Sequence, residues 1–287
     1  MQVIERIEGI REQVDAWRRA AERVALVPTM GNLHEGHLAL VDEARAQADR
    51  VVVSVFVNPT QFGPNEDYDA YPRTLDADAD AVAGRGADAV FAPTVATMYP
   101  AGGSLDTRVE VPSLTDRFCG IARPGHFTGV ATVVCKLLNI ARPDVAVFGR
   151  KDYQQLLVIQ RLVADLNMPV TIRGAPIVRE ADGLAMSSRN NYLTDDERRR
   201  APALYRALQQ AGTRLGNGEA GPRDVEAEAW RALADAGLEP EYFTVADPET
   251  LEPAAAGEGA LVILAAAWLG RARLIDNHEL ALDGEES

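Results

Sequence analysis

Lysine is almost missing from this sequence. Of 29 basic residues only Lys136 and Lys151 are lysines, so a compact, point-like cation at a place where chemistry could use one stands out against an arginine background. Cysteine is equally scarce. Cys119 and Cys135 are the only two, without CxxC spacing, which excludes a disulfide framework and a thiolate zinc site. No apolar run reaches the roughly 18 residues that a transmembrane helix needs. The first 23 residues are charged throughout and lack the apolar core of a signal peptide. A reducing cytoplasm is the expected compartment. Positive charge is in deficit, with 29 basic against 43 acidic residues and a net charge of -14. General nucleic-acid binding and membrane-surface binding both require a basic footprint and are excluded on that ground.

What is present fits a folded α/β chain. Its 287 residues are 47% hydrophobic, enough for a sizeable core. Short apolar stretches at 24–27, 51–57 (VVVSVFV), 89–92, 145–148 and 170–172 read as strands. Helical patterns at 3–21, 36–49, 73–83, 126–140 and 153–166 alternate with them. The first rests on Ile4, Ile7, Ile10, Val14 and Trp17 falling on one face. Strands apolar on both sides belong to a sheet covered on both faces. The alternation predicts a Rossmann-like, doubly wound parallel sheet, with ligands at the carboxyl ends of its strands. From about residue 176 the texture changes. Helices are expected over 195–215 and 224–236 and strands over 241–245, 260–269 and 271–275, with loops at 216–222 and 257–259 and a frayed tail after Leu280. The predicted division is a domain over 1–175 and a smaller α+β domain over 176–287. The acidity concentrates in the second part, -10 against -4.

Four segments at predicted strand ends carry candidate chemistry. In the first, Pro28 to His37 (PTMGNLHEGH), a strand turns into a helix that opens on His34 and His37. A helix start offers unpaired N–H groups and partial positive charge, and Gly31 and Gly36 allow close backbone approach. Phosphate binding explains two of the four histidines within one turn better than capping does, and zinc would need a third and fourth ligand from only two other histidines and thiols far off in sequence. In the second, Asn58 and Gln61 of NPTQFGP could hold hydroxyls or carboxylates, although spacing alone favours a plain turn. The third is FGRKDYQQ, where Lys151 at a helix start suits phosphate oxygens. The fourth, Met186-Ser187-Ser188-Arg189, is weak by itself. GRGADA at 84–89 imitates a dinucleotide fingerprint but sits between a helix and the following strand, the wrong order. No GxxxxGK[ST] loop or GxSxG elbow occurs.

Together these segments resemble the pantoate–β-alanine ligase family over essentially the whole chain. The likeness rests on PTMGNLHEGHLALV (28–41), VFVNPTQFGPNEDYDAYPRT (55–74), RPGHFTGVATVV (123–134), FGRKDYQQL (148–156) and VREADGLAMSSRNNYL (178–193). His34-Glu35-Gly36-His37 is similar to the HIGH motif of the wider nucleotidyltransferase group, and Met186 to Arg189 takes the place of its KMSKS motif. The resemblance implies an enzyme in which the pantoate carboxylate attacks the α-phosphate of ATP. β-Alanine then attacks the pantoyl adenylate, releasing pantothenate and AMP. It further implies magnesium with the ATP, a homodimer, and a C-terminal domain acting as a lid.

Carried over by position, the resemblance places Met30, Gly31, Asn32, Leu33, His34, Glu35, Gly36 and His37 against ATP, with both histidines near the phosphates. It places Gly149, Arg150, Lys151 and Asp152 there too, with Val178 at adenine or ribose and Met186, Ser187, Ser188 and Arg189 over the phosphates. Gln61 and Gln155 are expected on pantoate, with Asn58, Tyr71, Arg123 and His126 lining the pocket. Two positions depart from the family pattern. Arg150 stands where glutamate is usual. Thr60 replaces the usual methionine and is expected to loosen selectivity for the gem-dimethyl group of pantoate. The competing readings are a related nucleotidyltransferase with another acceptor and a non-catalytic nucleotide-binding protein. Gln61 and Gln155 argue for a small hydroxy-acid acceptor, and binding alone would not need two histidines.

Overall fold

The structure is a computed structural model and describes residues 1–64, 66–100, 107–254 and 259–281. Of the expected frayed tail, Ala281 still belongs to the last strand while 282–287 lie outside the described residues, as do 257 and 258 of the 257–259 loop. The chain divides into two compact units, Met1–Arg150 with Gln154–Pro176, and Lys151–Tyr153 with Ile177–Ser287.

The first unit is built on a six-stranded parallel sheet: β1 (Gln2–Ile4), β2 (Val24–Thr29), β3 (Arg50–Val55), β4 (Ala89–Phe91), β5 (Val145–Gly149) and β6 (Thr171–Ala175). The spatial order is β1-β4-β3-β2-β5-β6. Chain direction across the sheet reverses between β2 and β5, the switch point at which doubly wound folds bind ligands. Successive residues on a strand face opposite sides. Accordingly Val24 and Leu26 join one core cluster, under the helices Ile7–Arg19 and His126–Ala141, while Ala25 and Val27 join the other, under Glu35–Gln47. Burial on both faces is what the unbroken VVVSVFV run anticipates, and the doubly wound α/β reading holds.

Three of the departures from the expected boundaries have a clear physical cause. Residues 2–4 form an edge strand beside β4, and the helix begins only at Ile7. Ile4 still packs on the same core as Ile7, so the apolar spacing is satisfied without a helix. The single helix expected over 195–215 is two, Asp195–Arg200 and Ala203–Gly216. Pro202 lies between them and can donate no helical hydrogen bond. The last strand, expected to end at Ile275, runs on to Ala281. Asp276 and Asn277 break its apolar pattern, yet both are buried.

The second unit holds an antiparallel sheet in the order β7 (Glu239–Ala246), β8 (Ala260–Leu269), β9 (Ala272–Ala281). Leu204 and Leu208 from one helix and Leu233 from the helix Pro222–Asp235 pack with Ile263, Ala265 and Leu274 to form its core.

Candidate active site

In the first unit the turn after β2 is fixed from below. Gly31 (φ +80°) and Asn32 (φ +52°) adopt left-handed backbone. A Cβ on Gly31 would stand 2.9 Å from an Asp78 oxygen and 3.0 Å from Val55, so glycine is required there on both counts. The Asp78 carboxylate, 3% exposed, accepts the N–H groups of Asn32 (3.0 Å) and Leu33 (2.9 Å) and the hydroxyl of Thr74 (3.0 Å). Sequence reasoning misses Asp78, because in LDADAD it looks like an acid stabilising a helix start. Asp78→Ala orphans these donors and is expected to lower stability by about 2 kcal/mol. Urea unfolding checks this, and a midpoint equal to the parent's would refute it.

His34 caps the helix Glu35–Gln47. Its Nδ1 accepts from Gly36 N–H at 3.1 Å, and His37 Nδ1 accepts from His34 N–H at 3.4 Å. The rings lie tilted to one another at 43°, with centroids 4.1 Å apart. A ring nitrogen that accepts cannot carry the proton, so each neutral imidazole holds its N–H on Nε2. Backbone contacts thereby select the tautomer and put the N–H of both rings on Nε2, at a helix N-terminus. Glu35, also expected at ATP, is ion-paired through its side chain with Arg85.

The second candidate segment is a polar network. Asn58, 1% exposed, donates to Gln61 Oε1 (3.1 Å) and to the Gly129 carbonyl (3.2 Å). Its own Oδ1 accepts from Tyr99 (2.6 Å) and Thr60 (3.0 Å). With Oε1 engaged, Gln61 turns its amide N–H toward the Met30 sulfur at 2.9 Å. The Thr60 hydroxyl therefore serves this network, which accounts for a polar residue at that position by hydrogen bonding. Tyr99 gives no signal in the sequence, because it is distant along the chain and lies in no motif.

Arg123 and His126 hold the same turn. A carbonyl only accepts, so His126 Nδ1 donates to the Gln61 carbonyl (2.8 Å), and Nε2 accepts from Arg123 (3.0 Å). Arg123 also pairs with both oxygens of Glu66. Burial pushes the Glu66 carboxyl up, but the hydrogen bond and charge of Arg123 outweigh it, and the net direction is down. That stabilisation is full above the ordinary carboxylate range and is lost as pH falls through the lowered value. Tyr71 is buried against Phe62. Gln155 sits half-buried in the first turn of the helix Tyr153–Asp165, whereas its neighbour Gln154 is tied to the Leu114 and Arg117 carbonyls. Gly149 ends β5, and Arg150 is exposed and donates to the Gly174 carbonyl at 3.1 Å.

In the second unit, Val178 and Met186 are joined by a 3.0 Å backbone hydrogen bond, and Arg179 bridges to Ala185. They close a hairpin whose turn uses Gly183 (φ +92°). Ser187 caps the short helix Ser188–Tyr192, accepting from Arg189 N–H at 3.3 Å. Lys151, with a side chain 18% exposed, lies 3.9 Å from the Asp152 carboxylate. Lys151 and Ser187 line one small cavity with Asn190 and Asp276. Lys151 of the third motif and the weak fourth motif thus share one unit.

Imidazole donors at a helix start beside a switch point, and a lysine grouped with a Ser-Ser-Arg turn, define an α/β enzyme of the nucleotide-binding kind. The family model for pantoate–β-alanine ligases matches residues 2–279, and the chain belongs to that family. It is 57% identical over 286 residues to a pantothenate synthetase of Alkalilimnicola ehrlichii, covering 100% of both chains. The crystal structure of pantothenate synthetase from Thermus thermophilus superposes with a TM-score of 0.89 at 45% identity, covering 97% and 99% of the two chains. The Francisella tularensis pantoate–β-alanine ligase, complexed with β,γ-ATP and β-alanine, gives 0.80 at 32% identity with 97% of each chain covered. Among the described residues, no helix is long and apolar enough to cross a membrane.

Proposed function

We propose that this chain joins (R)-pantoate to β-alanine at the expense of ATP, through a pantoyl adenylate, releasing AMP and pyrophosphate. The observation that carries the reading is the pair of imidazoles, His34 and His37, at a helix start, each with its Nδ1 accepting from a backbone N–H. A pantoate carboxylate oxygen bonds to the α-phosphorus as the bond to pyrophosphate breaks. The β-alanine amine then bonds to the acyl carbon, AMP leaves with the bonding pair, and the nitrogen gives up a proton to solvent. Both steps ask for positioning and charge neutralisation.

We assign His34 and His37 to the phosphates, with the backbone of residues 30–37 lining the nucleotide. Carboxylate attack removes no proton, so His37 acts by hydrogen bonding at the pentavalent phosphorus. Gln61 and Gln155 hold the pantoate hydroxyls and carboxylate, Gln61 also neighbouring β-alanine. Asn58, Arg123 and His126 set the Gln61 turn. Lys151, Ser187, Ser188 and Arg189 neutralise phosphate oxygens, with Gly149, Arg150, Asp152, Val178 and Met186 flanking the nucleotide. In this proposal the C-terminal part is the lid, and the enzyme is a cytoplasmic homodimer.

No cluster of three or more metal-binding side chains occurs among the described residues. Magnesium keeps several waters and binds through phosphates, so this donor set fits an ion carried by the nucleotide. When bound, it neutralises phosphate charge.

The test is AMP release from ATP with pantoate and β-alanine supplied singly and together. Release is expected only with both, and AMP formation independent of either substrate would defeat the proposal.

A further inference from the structure

β9 breaks its own pattern at Asp276 and Asn277. Neighbours on a strand face opposite sides, yet both are buried, at 4% and 3% exposure. A buried polar pair without partners would be costly, and each of these has a specific one. Asp276 accepts both guanidinium nitrogens of Arg179, at 2.6 and 3.0 Å. Arg179 in turn lies 3.8 Å over the Tyr205 ring and donates to the Gly183 carbonyl at 3.0 Å. Asp276 therefore clamps the hairpin that leads into Ser187, Ser188 and Arg189. On the other side, Asn277 Nδ2 donates to the Lys151 carbonyl at 3.0 Å. Tyr153 ties the same three-residue segment to the Pro248 carbonyl at 3.1 Å. These bonds tie Lys151–Tyr153 to the second unit, although both flanking stretches of chain belong to the first.

We propose that Asn277 is a positioning residue for Lys151. Through its amide, Lys151 is fixed to the same strand that holds the Ser187–Arg189 turn, so lysine, serines and arginine meet the ATP phosphates as one rigid group. This rests on the phosphate role assigned above to Lys151. The alternative is that Asn277 merely satisfies a buried carbonyl and supports the fold.

A double-mutant cycle in the full-length enzyme separates the two. Asn277→Asp keeps the shape and exchanges the donor for an acceptor facing the carbonyl. Asn277→Ser, smaller and uncharged, serves if the buried carboxylate prevents folding. In the parent background kcat/KM for ATP is expected to fall roughly tenfold, chiefly through kcat. In the Lys151→Ala background the same change is expected to cost less than about twofold, because the residue it positions is gone. An equal penalty in both backgrounds, or less than about twofold in the parent, overturns the anchoring role while leaving Lys151 in place. Near-parental turnover of Lys151→Ala alone overturns the phosphate assignment and this proposal with it.

Discussion

Lys151→Ala is expected to reduce kcat/KM for ATP by about 10²- to 10³-fold, the loss seen when one preorganised donor to a developing charge is removed. Negative charge on the transferred phosphorus peaks in the pentavalent state, so the loss should fall chiefly on kcat. The fold should not notice. The Lys151 Nζ faces the Asp152 carboxylate at 3.9 Å, and that partner is half-exposed; such pairs contribute under about 1 kcal/mol. Lys151→Arg keeps the charge but is expected to recover only part of the activity. A planar fork does not replace a compact ammonium whose backbone is held by Asn277. Steady-state kinetics alongside thermal unfolding decides it. A fall in activity that tracks a fall in Tm would mean that Lys151 acts through stability, contrary to this account.

Gly129→Ala is expected to be damaging for a reason invisible in the helix that contains it. Within His126–Ala141 alanine is the better helix former by about 1 kcal/mol. Against that, the new Cβ would stand 2.3 Å from the Thr60 carbonyl oxygen and 2.7 Å from the Gln61 nitrogen. Both are backbone atoms and cannot rotate away. Overpacking of this kind costs about 1–3 kcal/mol, so the clash outweighs the propensity. Relief requires the 59–61 turn to move by on the order of 1 Å, which in a positioned site costs about 10²-fold in rate. The prediction is a large fall in kcat/KM for pantoate with ATP affinity nearly unchanged. Isothermal titration with a non-hydrolysable ATP analogue and kinetics against pantoate check it. An alanine variant with parental pantoate kinetics would show that the turn accommodates the methyl group without displacing Gln61.

These two sites also show where sequence reading stops. The strand–turn–helix after β2 is legible because all of its parts are local: the buried strand, Gly31, and histidines at the helix start. The doubly wound sheet is legible from apolar strands alternating with helical patterns. The supports are not. Asp78 lies 46 residues from the Asn32 N–H it accepts, and Tyr99 lies 41 residues from Asn58. Nothing local distinguishes Asp78 from an ordinary first-turn acid. Gly129 reads as a flaw in a helix until the turn packed against it is known. Asn277 does leave a trace, since Asp-Asn interrupts an apolar strand, but an interrupted pattern reads as a strand's end. Arg123 and His126 stand out through their motif, while what they do depends on the Gln61 carbonyl, which no spacing reveals.

The paired imidazoles divide two tasks within each ring. Each Nδ1 lone pair is given to a backbone N–H at the start of the helix Glu35–Gln47, so the ring N–H stands on the opposite nitrogen. A substitution at either position therefore removes a helix cap together with a donor. Closing the helix start and presenting the donor are one structural unit, and neither can be altered alone.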